Sequence, residues 1–186
     1  MVKKLTISAL EPFLAKPHEK MHLSDISRSI GEPHPTVRLW LSQLEKEGIT
    51  RKELKGRMAL HSLNLESPLI VDYIVMAEKH KLIRNCGKWP VLGEMVSFMQ
   101  RNPGGNALIF GSAAADFDAA NDIDMLIVGR GYEKLEDFTQ RLGKESHIVH
   151  VKSLIKITKT LKAEIIKKHL LVKGSEDFVR WMIWQQ

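Results

Sequence analysis

Asp122 and Asp124 stand one residue apart in the run Asp122-Ile123-Asp124-Met125-Leu126-Ile127-Val128, whose apolar remainder reads as a strand. In extended backbone alternate side chains share a face, so the two carboxylates point the same way while Ile123 and Met125 point to the other side. Like charges on one face repel, and a divalent cation relieves that repulsion; hard oxygen ligands suit magnesium or manganese. Nine residues upstream, the apolar Leu108-Ile109-Phe110 runs into Gly111-Ser112. Glycine lets backbone and ligand approach closely, and Ser112 adds a hydroxyl beside amide donors, as a phosphate-cradling turn needs. The chemistry implied is the binding of phosphate beside a metal ion. Asp116 and Asp118, in the intervening loop, are further candidates for the metal's surroundings, and the basic series Lys152, Lys156, Lys159, Lys162, Lys167, Lys168 and Lys173 reads mostly as a solvated face, with one or two of its members able to offset phosphate charge.

These residues need a scaffold of alternating elements. The pattern predicts a helix from Leu69 to about Ile83, a second from about Val91 to Met99, and a strand over Asn106 to Phe110. A loop follows, then a strand from Ile123 to Val128, a helix from Glu133 to Leu142, and a strand from His147 to Val151. Ala163 to His169 reads as helix and Leu170 to Lys173 as strand, with Ser175 capping a last helix through Trp181. Strands separated by helices make this half α/β, and the whole chain α+β.

The first half has a different texture. Leu5, Ala9, Leu10, Phe13 and Leu14 recur at helical spacing up to Pro17, and Ser24 reads as the N-cap of a short helix closed by Gly31. After the turn at Pro33, a third helix carries Val37, Leu41 and Leu44 inward and ends at Gly48. Two alternating strands, Ile49 to Leu54 and Met58 to Leu63, then flank the basic tip Lys55-Gly56-Arg57. His34, Thr36, Arg38 and Ser42 can project from the third helix, where donors would meet base edges and phosphates; Lys55 and Arg57, with Arg51 and Lys52, would add backbone affinity from the tip. Trp40 reads as packing. Glu32, Glu45, Glu47 and Glu53 work against phosphate contact wherever they share that face.

Composition sets the boundaries. The 186 residues are 44% hydrophobic and 27% charged, with a formal net charge of +6, which suits one or two folded modules and allows a polyanionic partner. Residues 1–65 carry 11 Lys and Arg against 7 acids, so the basic surplus is concentrated at the front. Ser67-Pro68 interrupts the pattern, which places two domains at 1–66 and 67–186, the latter with a connecting helix over 68–84, a core over 89–153 and C-terminal helices over 154–186. One cysteine, Cys86, and no apolar run of membrane-spanning length lead to an expectation of a reducing, cytoplasmic setting without membrane insertion.

The segment Leu23 to Gly31, the helix Pro35 to Ile49 and the Lys55-Gly56-Arg57 tip resemble the winged helix-turn-helix core of transcription regulators, which implies double-stranded DNA as partner. Leu108-Ile109-Phe110-Gly111-Ser112 followed by Asp122-Ile123-Asp124 resembles the signature of the minimal nucleotidyltransferase domains of the DNA polymerase β-like superfamily, over roughly 89–153. That resemblance implies that Gly111 and Ser112 bind the nucleotide's phosphates, and that Asp122 and Asp124 are catalytic and hold Mg2+ or Mn2+. It also implies that a nucleoside triphosphate donates its monophosphate to a hydroxyl. The pairing of the two domains looks like a recurrent prokaryotic architecture. The chain departs from the family's Gly-Ser-x-Ala-Arg-Gly, having Ala115 for the arginine and Asp116 for the glycine. Where catalytic members carry a third carboxylate, it offers His147 or His150 in the strand and Glu145 at its edge. A second reading is therefore a non-catalytic regulator that uses the transferase fold to sense nucleotide or to dimerise. A hydroxyl on a partner protein is a further acceptor left open.

Overall fold

Pro12 decides how the chain begins. A proline has no N–H, and its ring clashes with the carbonyl four residues back, so the single helix expected up to Pro17 is two: α1 (Lys4–Ser8) and α2 (Glu11–Leu14), with the proline in the first turn of α2. The computed structural model describes residues 4–56 and 58–184; Arg57, expected at the basic tip, lies outside the described residues. Met21–His22 forms strand β1, too short to leave a pattern in the sequence. The chain passes straight from it into α3 (Leu23–Ile30), so Ser24, expected as the N-cap, lies within the first turn and His22 takes the cap position. Gly31 closes α3 in the left-handed region, as expected. The next helix, α4 (His34–Lys46), buries Val37, Trp40, Leu41 and Leu44.

Strands β2 (Thr50–Lys55) and β3 (Met58–Leu63) pair antiparallel from Thr50↔Leu63 to Lys55↔Met58, and β1 adds to the free edge of β3. His61 on β3 is only 6% exposed, and its Nδ1 is buried without a hydrogen-bond partner. Burial first, and then the charge of Lys52, hold the His61 pKa below the usual histidine value, with Glu45 offsetting part of the shift. Because the folded form resists the proton that the unfolded chain accepts near pH 6.5, this stability is complete above that pH and is lost as pH falls. Wild type should therefore lose thermal stability relative to His61→Gln between about pH 7 and about pH 5. A difference in Tm that does not move with pH would refute this.

Helix α5 (Ile70–Lys88) outruns the expected end at Ile83, since nothing breaks it before Pro90, which opens α6 (Pro90–Arg101). Next come β4 (Asn106–Phe110), a single helical turn α7 (Gly111–Ala115) where a loop was expected, and β5 (Asp122–Val128). The chain continues with α8 (Leu135–Arg141), β6 (Glu145–Val151), α9 (Lys159–Lys167), β7 (His169–Lys173) and α10 (Ser175–Trp184). The helix expected over Ala163 to His169 instead runs from Lys159 to Lys167, because Thr158 accepts from the Leu161 N–H and caps it a turn early, and His169 opens β7. Ser175, expected as a cap, opens α10 with its buried hydroxyl unpartnered.

The second sheet runs β6-β5-β4-β7, with β4 antiparallel to both neighbours and β5 parallel to β6, so the chain is a mixed α/β protein. One face buries Ile109, Ile123, Met125 and Ile127 against Leu92, Met95 and Met99 of α6. Each such side chain contributes roughly 1.5–3 kcal/mol on leaving water. On the other face Leu108, Leu126 and Leu171 are buried, while Asp122 and Asp124 at the start of β5 remain partly exposed. The chain forms two compact units, 1–80 and 81–186, and the division falls within α5. No helix among the described residues is long and apolar enough to cross a membrane.

Candidate functional site

The alternation of β5 carries Asp122 and Asp124 on one face, and the parallel register sets His147 of β6 beside Asp124 and Glu145 beside Asp122. His147 Nδ1 lies 3.3 Å from Asp122 Oδ2 and 3.5 Å from Asp124 Oδ1. One ligand atom from each of the three residues falls within 4.8 Å of the others, which makes them the metal-capable group among the described residues. His150, three positions on, belongs to the opposite face and its Nε2 meets the Gly129 carbonyl. Of the three side chains considered for the third position, register and face exclude His150, and His147 is the one grouped with both carboxylates by distance. Two carboxylates and an imidazole suit a divalent ion, and the nitrogen donor tilts the preference from magnesium towards manganese or another transition metal.

Gly111 faces this group from the end of β4. Its φ is +70°, and a Cβ placed there would stand 2.6 Å from Asp124 Oδ2. The close approach expected between Gly111 and a ligand is thus already made by the Asp124 carboxylate. The Gly111 N–H donates to the Lys168 carbonyl at 3.2 Å, which ties the turn to the start of β7. Ser112 is exposed at the beginning of α7, which buries Ala113 and Ala114 and leaves Ala115 exposed. Asp116 Oδ1 accepts from the Ala119 N–H at 3.3 Å and so shapes its own turn.

Beside the cluster lies an open depression of about 860 Å3, with Asp118, Asp122, Lys144, Glu145 and His147 on its walls. Sequence reasoning passed over Lys144. Its ammonium donates to the carbonyls of Asp118 at 3.3 Å and Ala120 at 2.5 Å and sits over the Phe117 ring, fixing the loop that precedes β5. The signal was available in Gly143-Lys144-Glu145, a cation placed directly before a strand that flanks the Asp pair. Several of the C-terminal lysines are engaged elsewhere. Lys162 donates to the Trp181 carbonyl and lies over its ring, with burial lowering its pKa; Lys173 donates to the Asn102 carbonyl; Lys167 pairs with Glu164 at 2.7 Å.

In the other unit the residues expected to meet DNA divide between two flanks of α4. At 3.6 residues per turn, His34, Arg38 and Ser42 share one side, whereas Thr36 stands about 160° round from Arg38 and is half-buried. Lys55 is exposed at the end of β2, one residue before Gly56. Glu45 falls on the same side as Arg38 and Ser42, and all three face the hairpin across a cleft. No family model, no curated protein and no solved structure matches this chain.

Proposed function

We propose that the second unit is a nucleotidyltransferase of the minimal DNA polymerase β-like type and that the first is a winged helix-turn-helix that recruits double-stranded DNA. The observation that carries the enzymatic reading is the convergence of Asp122, Asp124 and His147 beside the Gly111 turn. A bound divalent ion would neutralise charge developing on the α-phosphate. Asp122 and Asp124 would hold that ion, with His147 as a third donor. The exposed Ser112 hydroxyl donates to a phosphate oxygen, and Lys144 keeps the loop before β5 in place. The acceptor's oxygen bonds to the α-phosphorus, the bond to pyrophosphate breaks, and the acceptor's proton passes to water at the open depression.

Incubation with labelled ATP, CTP, GTP or UTP, Mg2+ or Mn2+ and hydroxyl acceptors should give label transfer that disappears in Asp122→Asn. Metal and nucleotide uptake without transfer would instead support a nucleotide-sensing regulator, the reading favoured by Ala115 and Asp116 in place of an arginine and a glycine. For the DNA half, Arg38→Ala and Lys55→Ala should each weaken duplex binding, and losing the Lys55 phosphate contact should lower the salt slope by about 1. Unchanged binding in both would move the interface to another surface.

A further inference from the structure

A cleft of about 420 Å3 opens between α4 and the β2–β3 hairpin. Arg38, Ser42 and Glu45 line it from the helix, at spacings of four and three residues that put them on one side. Lys52 and His61 line it from the sheet, where they are register partners across β2 and β3 and so share a face. Leu23 and Ala59 complete the wall with apolar surface. The residue that sets this cleft apart from a surface crease is His61. It is more than nine-tenths buried, and its Nδ1 has no hydrogen-bond partner. Buried polar atoms are nearly always paired, so an unpaired ring nitrogen in a residue on the cleft wall leaves a hydrogen bond still to be made beside the basic groups there.

We infer that this cleft binds a small organic oxyanion, a carboxylate or a phosphate monoester, with its anionic head held by Arg38, Lys52 and His61. A neutral or a protonated imidazole alike carries an N–H to donate, and the site's fixed positive charge comes from Arg38 and Lys52. Arg38 offers a planar fork suited to a carboxylate or phosphate, Lys52 a point charge, and Ser42 a hydroxyl. The volume exceeds what an anionic head alone would fill and falls in the range of roughly 300–1,000 Å3 typical of small-molecule sites, which leaves room for a ligand body against Leu23 and Ala59. Glu45 decides between sources of the oxyanion. A carboxylate on the wall repels the uniformly anionic backbone of a duplex but accepts a hydrogen bond from an ammonium or hydroxyl group, so a small ligand carrying such a donor fits better than a phosphodiester. Because Arg38 and Ser42 also belong to the proposed duplex surface, ligand and DNA would compete wherever that reading holds.

The test is a titration of the full chain, followed by NMR, with inorganic phosphate and with acetate against chloride at matched ionic strength. Saturable shifts at the His61 ring and at Lys52 and Arg38 are expected with the two oxyanions and not with chloride. Lys52→Met and Arg38→Met should each weaken phosphate binding by about tenfold, the worth of one charge-assisted contact. Lys46→Met, at the exposed end of α4, should leave it unchanged. Shifts that follow ionic strength whatever the anion, or phosphate affinity untouched in both Met variants, would overturn the proposal. So would a response to a short DNA duplex but to neither free oxyanion, which would assign the cleft to the nucleic-acid backbone. Phosphate binding with no duplex binding would uphold the cleft and remove the DNA reading alone.

Discussion

Gly111→Ala is expected to lower both the stability of the protein and its affinity for a divalent ion, and the two losses have separate causes. At φ +70° an alanine incurs the left-handed penalty of roughly 1–2 kcal/mol. The added methyl group would also stand 2.6 Å from Asp124 Oδ2, far inside contact distance, so the carboxylate must leave the position it holds beside Asp122 and His147. Displacing a supporting neighbour of a metal ligand typically costs about 10–100-fold in metal affinity. Gly143 provides the control. It has a similar φ of +71° with nothing within 4 Å of its notional Cβ, so Gly143→Ala should show the backbone penalty and leave metal affinity unchanged. Denaturant unfolding reads the first effect and calorimetric titration with Mn2+ the second. Equal Mn2+ affinity in wild type and Gly111→Ala would mean that Asp124 does not bind the ion from this position.

His147→Ala should weaken manganese binding by about tenfold or more while changing magnesium binding less, because the lost donor is a nitrogen and magnesium favours oxygen. His147→Asp, which restores an oxygen donor on the same strand position, should turn the preference towards magnesium. The opposite role for His147 makes a clear contrary prediction. If the imidazole only supplies counter-charge to the Asp pair at 3.3 and 3.5 Å, its removal leaves two carboxylates less neutralised and manganese affinity unchanged or higher. Competition titrations of the two metals in all three proteins separate these outcomes.

What the sequence revealed depended on how local each feature was. The Asp122 and Asp124 face followed from strand alternation alone, and the left-handed closure of α3 from a glycine at the right place. Each is settled by a residue and its immediate neighbours. Other features depend on residues distant in the chain. β1 exists because Leu60 and His61 lie beside Met21 and His22, and nothing in a two-residue stretch announces that pairing. The choice of His147 over His150 required the parallel register of β5 with β6, a fact about two strands that neither one encodes by itself. The same limit explains Lys144, whose importance lies in carbonyls more than twenty residues away. Pro12 was the exception, since its effect on the first helix is local and could have been read from the sequence.

The central position of β4 bears on how the protein is made. Its two partners differ greatly in delay: β5 follows after the single turn α7, whereas β7 arrives only after β5, α8, β6 and α9 have been synthesised. Closing the longer connection is entropically costlier and slower. Until β7 docks, one edge of β4 stays open and the Gly111 amide lacks the Lys168 carbonyl that secures it. A nascent chain still threaded through the ribosome at α9 therefore displays both aspartates but no finished turn, and the bend beside Asp124 is secured only late in translation.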